Sequence, residues 1–183
     1  MNQPVSIRRI QRADFSLWKM LWDGYNAFYG RSGPTASPDD ISNVTFARFF
    51  GAYEPVYALV ATHGEQLVGV AHFLLHRSTI DLNPVCYLQD LSTAEQVRGC
   101  GAGRALIDEI YRAAKKCGCT KVYWQIHETN LTAIHLYDWV AQKSGFIVYR
   151  QPLLTEAWER NGSNIHSLRT GDSEFHWLSS SET

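Results

Sequence analysis

The stretch Val85-Cys86-Tyr87-Leu88-Gln89-Asp90-Leu91-Ser92-Thr93-Ala94-Glu95-Gln96-Val97-Arg98-Gly99-Cys100-Gly101-Ala102-Gly103-Arg104-Ala105-Leu106 decides the fold. Its first third is apolar and strand-like, and its middle carries glycines at every second position, Gly99, Gly101 and Gly103. Helical periodicity starts at once, with Ala105-Leu106-Ile107 and then Ile110-Tyr111. Glycines let the backbone turn its N–H groups toward one point, and a new helix adds its own unpaired N–H groups and positive dipole end. A strand, a glycine loop and a helix in that order make a phosphate cradle.

Outward from this stretch, the chain reads as one framework. Upstream, Val5–Ile10 alternates as a short strand. Asp14 is placed to cap a helix that carries Phe15, Trp18, Leu21, Trp22, Tyr25 and Phe28 at helical spacing. Ser37-Pro38-Asp39-Asp40 reads as a second helix start, with Ile41, Val44, Phe46 and Phe49 behind it. The segments 56–62 and 66–76, β-branched and aromatic, flank His63-Gly64-Glu65 as a hairpin. Downstream, 104–116 is an amphipathic helix ended by Gly118, and 121–127 reads as a buried central strand. Asn130 caps a further helix with Leu131, Ile134, Leu136 and Tyr137, and 146–150 reads as a closing strand. The order β-α-α-β-β-β-α-β-α-β predicts an α/β fold with a mixed sheet and helices on both faces. Ligands bind such sheets at the C-terminal ends of diverging strands.

The domain is expected over residues 1–151. Residues 152–183 form an extension in which 153–160 could be helical and the remainder is rich in Ser, Asn, Gly, Thr and charge. A net charge of −1 gives no electrostatic footprint for nucleic acid or an anionic membrane. No apolar run is long enough for a membrane span, and the first residues lack a signal-peptide core, so a cytoplasmic location is expected. Cys86, Cys100, Cys117 and Cys119 lack the paired spacing of a zinc site, so no metal is expected.

Three phosphate motifs compete for the loop. A Walker loop ends in Gly-Lys-Ser/Thr, whereas Gly103 is followed by Arg104-Ala105. A dinucleotide fingerprint would need glycine where Arg104 or Leu106 stands. Arg98-Gly99-Cys100-Gly101-Ala102-Gly103 instead fits Arg/Gln-x-x-Gly-x-Gly/Ala, and from Val5 to about Gln151 the chain resembles the GNAT superfamily of N-acetyltransferases. Tyr-Leu-Gln-Asp-Leu at 87–91 and the spacing from Asn130 to Tyr137 are most similar to the histone and polyamine (spermidine/spermine) type.

That resemblance implies the GNAT acyl-CoA N-acyltransferase fold, acetyl-CoA as cosubstrate and an amine acceptor. It implies that Arg98, Gly99, Cys100, Gly101, Ala102, Gly103 and Arg104 hold the pyrophosphate. The pantetheine arm would run along Leu91, Ser92 and Thr93, and Asn130 would bond it from the neighbouring strand end. The Leu91 N–H would polarise the thioester carbonyl, and Tyr137 would protonate the departing thiolate. Relatives carry a glutamate where Gln89 stands, and Gln89 cannot act as a base. Asp90 is the nearest carboxylate, but adjacent strand residues point to opposite faces unless the strand bulges. Glu128 and His127 are further candidates for a relay through water. The acceptor pocket is expected from Trp18, Trp22, Tyr25, Phe28, Tyr29 and Arg31. Residues 1–50 carry more basic than acidic side chains, so a polycation finds no obvious complement there. A non-catalytic acyl-CoA-binding domain is the alternative that Gln89 leaves open, and exposed aromatics permit a homodimer.

Overall fold

A computed structural model describes residues 4–151. Nine regular elements follow in order: β1 (Ser6–Arg9), α1 (Phe15–Phe28), α2 (Asp39–Arg48), β2 (Val56–His63), β3 (Gln66–His76), β4 (Val85–Thr93), α3 (Ala102–Lys116), β5 (Val122–Tyr123) and α4 (Leu131–Val140). The sheet runs β1-β2-β3-β4-β5, antiparallel throughout except for the parallel pair β4–β5. The mixed α/β sheet expected from the sequence is present.

Strand alternation builds the core on both sheet faces. Leu59 and Ala61 of β2 pack with Leu106, Ile107 and Ile110 of α3. Ala58 and Val60, between and beside them, pack with Trp18 of α1 and Phe46 of α2. Leu106, Ile107 and Ile110 are fully buried, each stabilising the fold by roughly 1.5–3 kcal/mol. Gly69 of β3 allows this close packing, because a Cβ there would meet Leu106 Cδ1 at 3.2 Å.

Three expectations are corrected. Asp14 does not cap α1; its carboxylate accepts from both Arg8 guanidinium nitrogens at 2.7 and 2.8 Å and from the Gln11 N–H at 2.7 Å. A buried carboxylate gains more from a bidentate cation and a turn N–H than from a helix terminus. The strand expected over 121–127 is only Val122–Tyr123, because its ladder with β4 ends at Tyr87↔Tyr123. No strand forms over 146–150. Strand propensity measures fitness for a pleated surface and does not supply a neighbour to pair with.

The chain divides after Gln142, and every element named above lies in the first unit. The second starts at Lys143, and its described residues, 143–151, form no helix or strand. The expected helix over 153–160 and the remainder of the extension lie outside the described residues.

Candidate active site

The glycine loop has the geometry that its sequence predicts. A short 3-10 turn (Glu95–Val97) leads from β4, Gly99 and Gly101 take left-handed φ values of +80° and +81°, and Gly101 is the N-cap of α3. A β-carbon costs roughly 1–2 kcal/mol in that conformation, so glycine is the natural occupant. Two expected phosphate ligands are used within the turn itself: the Arg98 N–H donates to Glu95 O at 3.1 Å, and the Cys100 N–H donates to Val97 O at 3.2 Å. Among the described residues, the N–H groups of Gly99 and Gly101, with those of Ala102, Gly103 and Arg104 in the first turn of α3, have no backbone acceptor. The two arginine side chains pair with acids on the surface, Arg98 with Glu95 at 3.0 Å and Arg104 with Asp108 at 3.1 Å. Gly103 sits against α4, where a Cβ would meet Leu136 Cδ2 at 3.3 Å, so the cradle and α4 are packed as one piece.

The ladder of β4 shows which peptide groups are open. Ala94 donates its N–H to Val68 O at 2.8 Å. Alternate residues of an antiparallel strand aim both peptide groups at the same neighbour. In the register Val70↔Ser92, Ala71↔Leu91 and His72↔Asp90, Ser92 and Asp90 therefore face β3. Leu91 and Thr93 face the other way, toward the gap where β5 no longer pairs. An extended amide-bearing chain could complete that edge as an added strand.

Asn130 and Tyr137 close the gap from the far side. The Asn130 side-chain Oδ1 accepts from the Ala133 N–H at 3.2 Å, capping α4 as expected. Both line a small cavity together with Leu91, Gln89, Tyr25 and Tyr29. The Tyr137 ring meets Trp124 edge-on, with centroids 5.2 Å apart. Burial, with a smaller contribution from Tyr29, pushes its phenol up to about 12, so the hydroxyl stays a proton donor throughout the neutral range.

A bulge settles where Asp90 points. Phe73 pairs with Leu88 and His72 with Asp90, which leaves Gln89 as the extra residue. Leu88 packs on the α3 face. Without the extra residue Asp90 would share that face; with it, Asp90 turns to the α1 face, and its carboxylate lies 3.0 Å from His72 Nδ1. Gln89 stays exposed at the cavity wall. His72 was missed by sequence reasoning; a histidine inside the apolar run Leu67-Val68-Gly69-Val70-Ala71-His72-Phe73 is the signal that could have found it.

The other candidates separate. His127 Nδ1 lies 2.8 Å from the Thr129 hydroxyl in its own exposed loop. Trp18 is entirely buried core, whereas Tyr25 and Tyr29 reach the cavity. Arg31 lies 6.0 and 5.7 Å above the Tyr25 and Tyr29 rings, with its Nε–H donating to Asn26 Oδ1 at 2.8 Å. All four cysteines are free thiols, and burial holds that of Cys86 up at about 12. Among the described residues, no group of three or more His, Cys, Asp or Glu side chains could hold a metal, and no helix is long and apolar enough to cross a membrane.

An open strand edge beside a protonated tyrosine, with a glycine loop packed against the same strand end and α4, suits an acyl-CoA thioester. Residues 17–140 match the Acetyltransferase (GNAT) family. The chain belongs to that family. This GNAT chain is 31% identical over 153 residues to the D-amino-acid N-acetyltransferase HPA3 of Saccharomyces cerevisiae, covering 82% of this chain and 92% of the yeast protein. Among solved structures, it resembles the ribosomal-protein-alanine N-acetyltransferase of Brucella melitensis biovar Abortus 2308 (TM-score 0.65, 19% identity, 81% and 99% of the two chains). It also resembles the aminoglycoside N-acetyltransferase AAC(6')-Iy in complex with CoA (TM-score 0.69, 15% identity, 81% and 94%). Those two likenesses establish the GNAT fold. The GNAT chain is an acetyl-CoA-dependent acyltransferase.

Proposed function

We propose that this GNAT enzyme transfers acetyl from acetyl-CoA to a primary amine of a small molecule or a lysine side chain, directly, within a ternary complex. One observation carries the reading: the outward peptide groups of Leu91 and Thr93 face the same gap that Asn130 and Tyr137 line, beside the N–H groups of the glycine loop. The free N–H groups of Gly99 and 101–104 would hold the pyrophosphate, with the α3 dipole behind them. When bound, acetyl-CoA supplies an activated acyl carbon. The Leu91 N–H donates to the thioester oxygen as negative charge develops there. The Tyr137 hydroxyl donates to the sulfur as the C–S bond breaks. Holding the amine against the acyl carbon supplies much of the remaining acceleration. An enzyme-bound acetyl intermediate on Cys86 is disfavoured, because that thiol is fully buried and holds its proton up to about 12.

Arg31 favours a small acceptor that carries a carboxylate. Among the described residues only its Nε is tied down, to Asn26, which leaves the planar fork above Tyr25 and Tyr29 for a bidentate anion. The yeast relative's name, a D-amino-acid N-acetyltransferase, agrees with an amino-acid acceptor. The test is thiol release from acetyl-CoA across D- and L-amino acids, alkyl amines, polyamines and a lysine peptide. Turnover concentrated on amino acids supports the reading, and CoA binding without turnover on any amine defeats it.

A further inference from the structure

Behind the cavity lies a continuous line of polar atoms through an otherwise aromatic core. The Trp18 Nε1–H donates to His72 Nε2 at 2.9 Å. An indole nitrogen can only donate, so His72 Nε2 must be the bare acceptor nitrogen of the ring. The proton of the neutral imidazole is thereby fixed on Nδ1, which donates to Asp90 Oδ2 at 3.0 Å. Phe49, Trp22 and Trp18 surround the imidazole at centroid distances of 4.8, 5.1 and 5.9 Å. The Asp90 carboxylate also acts on the hydroxyl of Tyr25, whose ring is stacked on Trp22 at 5.3 Å and lines the cavity. Burial and the Asp90 carboxylate both raise the Tyr25 phenol well above its ordinary value, so it stays protonated. A phenol that keeps its proton beside a carboxylate has that proton to donate toward it and its lone pairs to offer to a cationic group in the cavity.

Resting on the acetyltransfer reading above, we propose that Asp90 is the proton sink for the acceptor ammonium, that Tyr25 links it to the cavity, and that His72 and Trp18 position it. In this step an N–H bond of the ammonium breaks and its proton passes to Tyr25 Oη. The Tyr25 proton passes to an Asp90 carboxylate oxygen, and the nitrogen keeps the electron pair with which it attacks the acyl carbon. His72 keeps its Nδ1–H throughout, because the Trp18 N–H occupies its other nitrogen. After the acetylated product leaves, Asp90 returns its proton to water along the same path. Gln89, unable to take a proton, is the residue whose insertion turns Asp90 inward to do so.

An alkyl amine of pKa near 10 is neutral in about one molecule in a thousand at pH 7, which bounds the benefit of a proton sink. The groups facing Asp90 are His72 from β3, Tyr25 from α1 and Tyr87 from its own strand. The experiment measures kcat/KM from pH 6 to 10 for the unaltered full chain, Asp90→Asn, Tyr25→Phe and Trp18→Phe. The acceptor is whichever primary amine of the panel is turned over best. Asp90→Asn and Tyr25→Phe are expected to lose about 100-fold at pH 7 and less than about 3-fold at pH 10, where free amine is abundant. Trp18→Phe, which frees His72 to change tautomer, is expected to show a smaller loss with the same pH trend. Tyr25→Phe keeps the stacked ring, so it reads the hydroxyl even if Asp90→Asn fails to fold. A loss that is constant across pH, or no loss in Tyr25→Phe, overturns the relay while leaving acetyltransfer intact. No turnover by the unaltered enzyme on any amine overturns acetyltransfer and the relay together.

Discussion

Replacing Tyr137 with phenylalanine removes one oxygen and leaves the edge-on contact with Trp124 in place. The structure sets the size of the effect. The Tyr137 phenol is held up to about 12, whereas a cysteine-like thiol titrates near 8.5. Full proton transfer to a formed thiolate is therefore uphill by roughly 5 kcal/mol. The larger part of the benefit must be the charge-assisted hydrogen bond to the sulfur as its charge grows, and the proton itself moves late. Such a bond contributes about 1.5–3 kcal/mol, which corresponds to roughly 10–150-fold in kcat.

The assay is initial-rate thiol release at saturating acetyl-CoA and acceptor, with the Kd for CoA measured by calorimetry on the same preparation. Tyr137→Phe is expected to lower kcat by that factor and to change Kd by less than about 3-fold, since the bond forms only as charge develops. The unaltered enzyme should show no alkaline fall assignable to Tyr137 below about pH 11, because its hydroxyl remains protonated up to about 12. A variant with kcat unchanged within about 2-fold would refute the donor role. A loss in Kd that matches the loss in kcat would show a binding contact instead.

Three further outcomes are expected. Gly101→Ala places a Cβ that meets nothing within 4 Å, so its cost is the left-handed φ of +81° alone; about 1–2 kcal/mol lowers Tm by about 2–8 °C, with CoA affinity falling alongside, and an unchanged melt would show that the loop adapts. Arg31→Ala should raise KM for an amino acid more than 10-fold, as the loss of about 1.5–3 kcal/mol from a charged hydrogen-bonded pair implies, while leaving a simple alkyl amine little affected; equal effects on both would exclude a carboxylate contact. Asp14 is held below the ordinary carboxylate range by its hydrogen bonds to Arg8, so its stabilisation is present above about pH 4 and is lost as pH falls through its folded pKa. Arg8→Met should accordingly flatten the acid loss of the urea midpoint between about pH 4 and 2, and an unchanged slope would show that the pair does not govern it.

The sequence made the glycine loop, the α1, α3 and α4 stripes and the β2–β3 hairpin legible, because each depends on local periodicity or on backbone freedom at particular positions. The direction of Asp90 was not legible. It depends on two residues of β4 opposing one of β3, and that count belongs to a pair of strands and to neither alone. Strict alternation puts Gln89 and Asp90 on opposite faces, and only a bulge brings the Asp90 carboxylate to the α1 face. His72 escaped for a related reason: a histidine in an apolar strand is ordinarily a satisfied core residue, and only the Trp18 indole and the Asp90 carboxylate on either side give it a fixed tautomer. Strand 121–127 was overextended because Trp124 and Ile126 suit a sheet equally well whether or not β4 remains within reach.

Both edges of β4 break within a few residues of each other, and each break explains the other. On the β3 side the extra residue is Gln89; on the β5 side pairing stops at Tyr87. A bulge increases local twist and bends its strand, so a parallel neighbour that was in register before it falls out of register after it. The bulge that turns Asp90 toward His72 thus also opens the gap beside Leu91 and Thr93. Peptide groups left on such an edge inside a crevice each cost about 1–3 kcal/mol if they find no partner. On the function proposed above, a cosubstrate arm with its own amides would offer those partners, and its binding would complete a sheet that the fold leaves unfinished. A single inserted residue therefore sets both the open strand edge and the placement of the carboxylate. A straight β4 that kept Asp90 but lacked Gln89 would have neither.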